Sequence, residues 1–293
     1  MAKLLGIDIH RYYRNIDPRV AYDAGARFAL IRAGGCDYYG HQYEDNYFKR
    51  NAEVFPEHMP IGFWYVFRPN HSPEKQAESF IELVRDVPYQ VPCQFDVELW
   101  GEVSPRVFAD NLLMAYAMLD AAFPNSKHIN YTRAEFFNKR VAQDPRWALY
   151  DLWIARYTTQ PKPWGNQYDQ PYVYPRDWES WVFWQWSADY NNRGPEFGVP
   201  PDGDDDIDLD WFNGDQAAFN AKFNIGQVEM PYMVEVTTTK NTLGKAGPKG
   251  INEHVIPLGT RLGVVGQDKA ADGSIWYNVG GMWILADHVK VIE

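Results

Sequence analysis

Asp96 and Glu98, in the run Phe95-Asp96-Val97-Glu98, are the residues whose type and spacing best suit chemistry. Residues i and i+2 of a strand face the same side, with Cα atoms about 6.5 Å apart. Two carboxyls placed so raise each other's proton affinity. One can then stay protonated beside an ionised neighbour, the division of labour that glycosidic cleavage needs. The same spacing also fits two solvated charges beyond a strand end. Asp8 ends the apolar run Leu5-Gly6-Ile7 in a similar way, and Asp206, Asp208 and Asp210 alternate with Ile207 and Leu209. One such carboxylate is uninformative; three strand ends that share the feature are not.

Other chemistries lack their signatures. The chain has no G-x-S-x-G elbow, no phosphate-binding loop, no G-x-G-x-x-G and no H-E-x-x-H. His10 has no second His at ligand spacing and reads as a polar rim residue. The acidic run Asp202–Asp206 lacks the Gly and Glu of a calcium loop. No metal and no cofactor is expected.

These carboxylates need a frame. Eight apolar runs read as strands: 4–8, 28–32, 61–67, 93–98, 128–131, 151–157, 181–186 and 207–211. Helical patterns lie between the early ones, at 73–86 and 105–123, the second opened by Ser104-Pro105. This alternation favours a parallel barrel or a doubly wound sheet. The last third, rich in Pro, Tyr and Asp, should lack regular helices. In a barrel the C-terminal strand ends share one rim, so carboxylates of strands one, four and eight can meet.

Composition narrows the partners. Aromatic residues make up 16% of the 293 residues (12 Trp, 19 Tyr and 16 Phe), a load suited to stacking on sugar rings. The net charge of −11 argues against nucleic acid. No apolar run approaches the roughly 20 residues of a membrane span, so no membrane insertion is expected. The start, MAKLLGIDIH, reads as a strand, not an export signal, which predicts synthesis in the cytoplasm. Cys36 and Cys93 fall at opposite ends of such a barrel and are expected as reduced thiols.

An ordered set of segments resembles glycoside hydrolase family 25, the lysozymes that cleave between N-acetylmuramic acid and N-acetylglucosamine. The segments are Gly6–Asp8, Leu30–Ala33, Ile61–Pro69, Asp96–Glu98, Leu152–Tyr157, Trp184–Ser187 and Ile207–Phe212. The resemblance implies an irregular TIM-like barrel of eight strands and about five helices. It also implies that Glu98 is the general acid, Asp96 its carboxylate partner, and Asp8 and Asp208 two further site carboxylates. The chain departs from the family at Ile9-His10 for Val-Ser, at Trp64-Tyr65 for Tyr-His, at Gly34-Gly35 for Thr-Glu and at Asp210 for Asn. Trp64, Tyr65, Tyr131, Trp153 and Trp186 are expected to line the sugar groove. Arg32 is expected at the site, paired with Asp8 or a neighbour.

Composition changes near residue 225, and the boundary is set at 226–231, giving domains 1–226 and 232–293. The second part holds short alternating strands and no nucleophile constellation. Its segments Asn241–Pro248, Ile256–Thr260 and Trp276–Ile284 resemble bacterial Src-homology-3-like cell-wall-binding domains. Together these readings imply a bacterial peptidoglycan hydrolase, in the manner of a phage endolysin that reaches the wall through membrane holes. The alternatives are a catalytically silent sugar-binding or virion protein, and a glycosidase acting on chitin or another wall polysaccharide. Stereochemistry stays open: the substrate's 2-acetamido group could attack with retention, or water could attack directly with inversion.

Overall fold

In the computed structural model the described residues are 3–157, 170–171, 173–188, 192–225, 233–237, 243–244, 256–264, 266–270, 272–279 and 283–292. The chain forms two compact units, Met1–Ile225 and Gly226–Glu293.

The first unit carries strands β1 (Leu4–Ile9), β2 (Ala29–Cys36), β3 (Gln42–Glu44), β4 (Ile61–Val66), β5 (Val91–Asp96), β6 (Ile129–Thr132), β7 (Asp151–Ala155), β8 (Phe183–Ser187) and β9 (Asp208–Phe212). They are hydrogen-bonded in the order β1, β9, β8, β7, β6, β5, β4, β2, β3, and β1 also pairs with β2. That pairing closes an eight-stranded barrel, with β3 left outside it as a hairpin arm on β2. The eight expected strands are all present. The arm was not foreseen, because two of its three residues are only partly buried and the third is exposed. Asp37 makes its turn, accepting from the backbone N–H of Tyr39 and His41 at 2.8 Å each.

One expectation needs correcting. The barrel strands β1, β2 and β4 to β8 run parallel to one another, but β9 runs antiparallel to both β8 and β1. No α-helix crosses back over the barrel between β8 and β9 among the described residues; a 3₁₀ turn, Gly194–Phe197, lies there instead. Without a helical crossover the chain enters β9 from the rim where β8 ended.

Helices α1 (Pro18–Asp23), α2 (Phe48–Val54), α3 (Pro73–Val84), α4 (Pro105–Ala122) and α5 (Ala134–Arg140) fall between the strands, and α6 (Gln216–Lys222) follows β9. Local chemistry starts them. Asp17, Ser72 and Ser104 each cap a helix whose first residue is Pro, which has no N–H to leave unpaired.

Strand alternation divides the core into two. Outward side chains such as Ile31, Phe63, Tyr65, Phe95, Ile154 and Trp184 pack with Phe80, Phe108, Leu112 and Tyr116 of the helices. Inward ones, including Leu30, Trp64, Tyr131, Trp153, Phe183 and Phe212, fill the barrel with Phe28, Phe219 and Phe223. Phe219 of α6 stacks on Phe28 at 5.2 Å, and Phe223 stacks on Phe183 at 5.8 Å. These rings seal the end of the barrel opposite the carboxylates. Gly6 makes room for them, since a Cβ there would lie 2.2 Å from the Phe28 ring.

In the second unit, β10 (Met233–Val236) pairs with β12 (Arg261–Gly263) and β16 (Val289–Ile292). A second sheet orders β11 (Leu243–Gly244), β15 (Trp283–Leu285), β14 (Ile275–Asn278) and β13 (Gly266–Lys269). Val234, Val236, Tyr277, Val279 and Ile284 form its core. This is a small all-β unit. Most of the segment Asn241–Pro248, and Gly280–Met282, lie outside the described residues. Trp276 is buried, its Nε1–H donating to Ser274 Oγ at 3.0 Å.

Candidate active site

Each barrel strand turns one polar or aromatic side chain inward near the open rim. β1 supplies Asp8, β2 Arg32, β4 Trp64, β5 Asp96, β6 Tyr131, β7 Trp153, β8 Gln185 and β9 Asp208, and all of them line one cavity of about 330 Å³. Glu98, two residues beyond the β5 end, lines it as well, with His10, Tyr43 and Tyr157. The four carboxylates expected to meet therefore do meet. Asp208 arrives from the start of its strand and not the end, because β9 is reversed. Its partner in the ladder is Asp8.

The cavity floor is a chain of fixed donors. Tyr131 and Tyr157 each donate O–H to Gln185 Oε1 at 2.8 Å, which orients the amide. Gln185 Nε2 in turn donates to Asp8 Oδ2 at 2.6 Å. Below it, Trp153 Nε1 donates to Asp210 Oδ1 at 2.6 Å. Burial, and then the Asp210 charge, hold the Asp8 carboxyl well above the usual carboxylate range. Burial likewise pushes Asp210 up to about 8.

On the opposite wall Asp96 is buried, and its Oδ1 has no hydrogen-bond partner among the described residues. Burial raises its proton affinity most, the neighbouring Glu98 carboxyl adds to this, and the Arg32 cation opposes it. Glu98 is more open, with its Oε2 at 3.3 Å from Arg133 Nη2. The pair thus sets a dry carboxyl beside a wetter one.

Arg32 sits in the wall, but its partner is Asp45 and not Asp8. Its Nε donates to Asp45 Oδ2 at 2.6 Å, and the guanidinium lies over Trp64 at 5.4 Å. Asp45 also accepts from the Arg11 and Tyr47 backbone N–H groups, so the loop after β3 fixes the cation. The β2 register shifts just beyond Arg32, a bulge of the kind that re-aims a side chain at a site. His10 stacks on Tyr13 at 4.3 Å, with Nε2 at 3.9 Å from Asp208 Oδ2. Burial and then the Arg32 and Arg11 charges push it down to about 3, so it is neutral.

Two expected groove residues are elsewhere. Tyr65 is fully buried in the outer layer, stacked on Phe80 at 5.2 Å with its O–H donating to Gln42. Trp186 is also buried there, stacked on Trp211 at 5.8 Å. Both follow an inward residue, Trp64 and Gln185, and adjacent strand residues face opposite sides. Sequence reasoning missed Gln185, Tyr43 and Tyr157. Parity counted from Trp184 and Trp186 would have marked Gln185 as an inward polar residue. Tyr43 lies on the β3 arm outside the barrel, and Tyr157 lies two residues beyond the end of β7, at the parity of Trp153. Cys36 and Cys93 are buried free thiols away from the cavity.

The sequence model described as glycosyl hydrolases family 25 matches residues 7–195, most of the barrel. The chain belongs to this family. It is a glycoside hydrolase, and its barrel is the family 25 fold. It is 29% identical over 215 residues to the uncharacterized protein YegX of Escherichia coli K12, across 71% of this chain and 69% of that one. A family 25 glycosyl hydrolase structure from Bacillus anthracis is 26% identical, with a TM-score of 0.57, over 74% of this chain and 92% of that one. The bacterial lysozyme of Streptomyces coelicolor shares the fold at 23% identity, with a TM-score of 0.61, over 76% and 98% of the two chains.

Proposed function

We propose that this family 25 hydrolase cleaves the β-1,4 linkage between N-acetylmuramic acid and N-acetylglucosamine in bacterial peptidoglycan. The observation that carries this reading is the meeting of Asp8, Asp96, Glu98 and Asp208 in one aromatic-walled cavity. Glu98, the most accessible of the strand-five pair, is the general acid that protonates the leaving oxygen. Asp96 stands beside it, able to accept or hold a proton where the acetamido nitrogen or the developing positive charge would lie. Asp8 and Asp208 complete the acidic side of the cavity. Trp64, Tyr131 and Trp153 are the sugar-facing rings, and Arg32 is a fixed cation for an anionic or carbonyl group. The lysozyme that shares this fold supports the same substrate class.

The small all-β unit is a Src-homology-3-like module that holds the enzyme on the wall, and the whole chain acts as a phage endolysin. The pairing of a wall-cleaving barrel with a compact second unit supports this. Analysis of the reducing ends released from purified walls tests the central reading. Muramic acid at the new reducing end supports it; glucosamine ends, or no release, overturn it.

A further inference from the structure

We propose that Asp210 is a positioning residue that shares a single proton with Asp8, forming an acid–carboxylate pair that fixes the charge and orientation of the Asp8 side of the site. Asp210 has no place in the cavity lining, and nothing so far gives it a role. It is wholly buried beneath the floor. Its Oδ1 is taken by the Trp153 indole, while among the described residues no N–H or hydroxyl donor reaches its Oδ2. The diagonal neighbour of Asp210 on the inner face is another carboxyl, that of Asp8, and the two interact.

The ladder explains the approach. Asp8 pairs with Asp208 and Gly6 pairs with Asp210, so Asp8 and Asp210 are diagonal neighbours on the inner face. Two ionised carboxylates cannot share so dry a space, whereas one proton between them turns repulsion into a short hydrogen bond. The other oxygens are already fixed: Gln185 holds Asp8 Oδ2 and Trp153 holds Asp210 Oδ1. The pair is thus clamped at both ends by neutral donors that do not titrate.

The surroundings favour retention of that proton. Asp208 on the same strand adds negative charge beside Asp210, while its hydrogen bond to Asp8 acts in the opposite direction on that member. Asp96 and Glu98 lie across the cavity, and Tyr13, Tyr131 and Tyr157 are neutral phenols around it. The Arg32 cation is engaged by Asp45 and acts on Asp96. Burial pushes Asp210 up to about 8, consistent with a proton kept through neutral pH.

Titration of ¹³C-labelled aspartate carboxyls in the full chain tests the pair without any substrate. In the wild type, one carboxyl of the pair should remain protonated at pH 7 and titrate only in the alkaline range. Asp210→Asn replaces the shared proton with an amide N–H that cannot ionise and removes the Asp210 charge that adds to burial, so the Asp8 titration should move to lower pH. Trp153→Phe removes the donor on Oδ1 and should move the alkaline titration upward. Both carboxyls ionised at pH 6, or an Asp8 titration unmoved by Asp210→Asn, would overturn the proposal. As an activity readout, the ratio of Asp210→Asn to wild-type kcat/KM on wall fragments should rise at least tenfold from pH 6 to pH 9. That arm alone rests on the muramidase reading. An inactive wild type would defeat that reading and leave the carboxyl titration to decide this one.

Discussion

Asp8 and Asp208 face each other directly across the β1–β9 ladder, although they come from opposite ends of the barrel sequence. The antiparallel direction of β9 produces this. A parallel last strand would have carried Asp208 to the sealed end, among Phe28, Phe183 and Phe219. The reversed strand starts at the rim, so the acidic side of the cavity is built by strand direction as much as by residue type.

Replacing Glu98 by Gln should remove the proton donor while leaving the side chain's shape. General acid catalysis contributes about 10²–10⁴-fold, and a loss of that size in wall lysis is expected, with unchanged circular dichroism. Lysis within about twofold of wild type would remove Glu98 from the role.

Trp64 and Tyr65 should give opposite phenotypes despite being neighbours. Trp64→Ala opens the cavity wall and should raise KM for soluble wall fragments. Tyr65→Ala leaves a void against Phe80 and should cost about 3–5 kcal/mol of stability in denaturant unfolding. Equal effects on KM would mean that both rings face the sugar.

Stability should depend on pH through Asp210. Its affinity is raised in the folded state, from about 3.9 when unfolded to about 8. The folded chain therefore holds a proton that the unfolded chain has released. The stability this gives is complete below about pH 3.9 and is lost as pH rises through about 8. Asp210→Asn lacks this loss. Its melting temperature relative to wild type should rise by at least about 3 °C between pH 5 and pH 8.5. A pH-independent difference would show that Asp210 ionises normally.

Residues 1–225 should still hydrolyse soluble wall fragments but bind intact walls at least tenfold more weakly than the full chain. Linkage raises local concentration without touching the chemistry. Equal co-sedimentation of the two proteins with walls would end the anchoring role of the second unit.

The anomer formed first reports the mechanism. Attack by the substrate's own 2-acetamido group, with Asp96 or Asp208 orienting its nitrogen, retains configuration and leaves no covalent enzyme adduct. Proton NMR of fresh product should then show the β-anomer of reducing muramic acid. An initial α-anomer would instead assign Asp8 or Asp208 as the base of a direct water attack.

The sequence by itself determined the strands and the chemistry they carry. Continuous apolar runs can bury both faces only inside a sheet covered by helices, so all eight barrel strands were legible, as was the helix start at Ser104-Pro105. The pairing of Asp96 with Glu98 was legible too, because an i, i+2 spacing on a strand is a local fact. What only the tertiary structure decided was non-local. The direction of β9 depends on where the chain enters after β8, and Arg32 found Asp45 because the β3 arm brings that loop to the rim. Gln185, Tyr157 and Asp210 matter through contacts across the barrel that no sequence interval encodes. Inward or outward facing, which separates Trp64 from Tyr65 and Gln185 from Trp186, becomes fixed only when barrel closure gives each strand an inside.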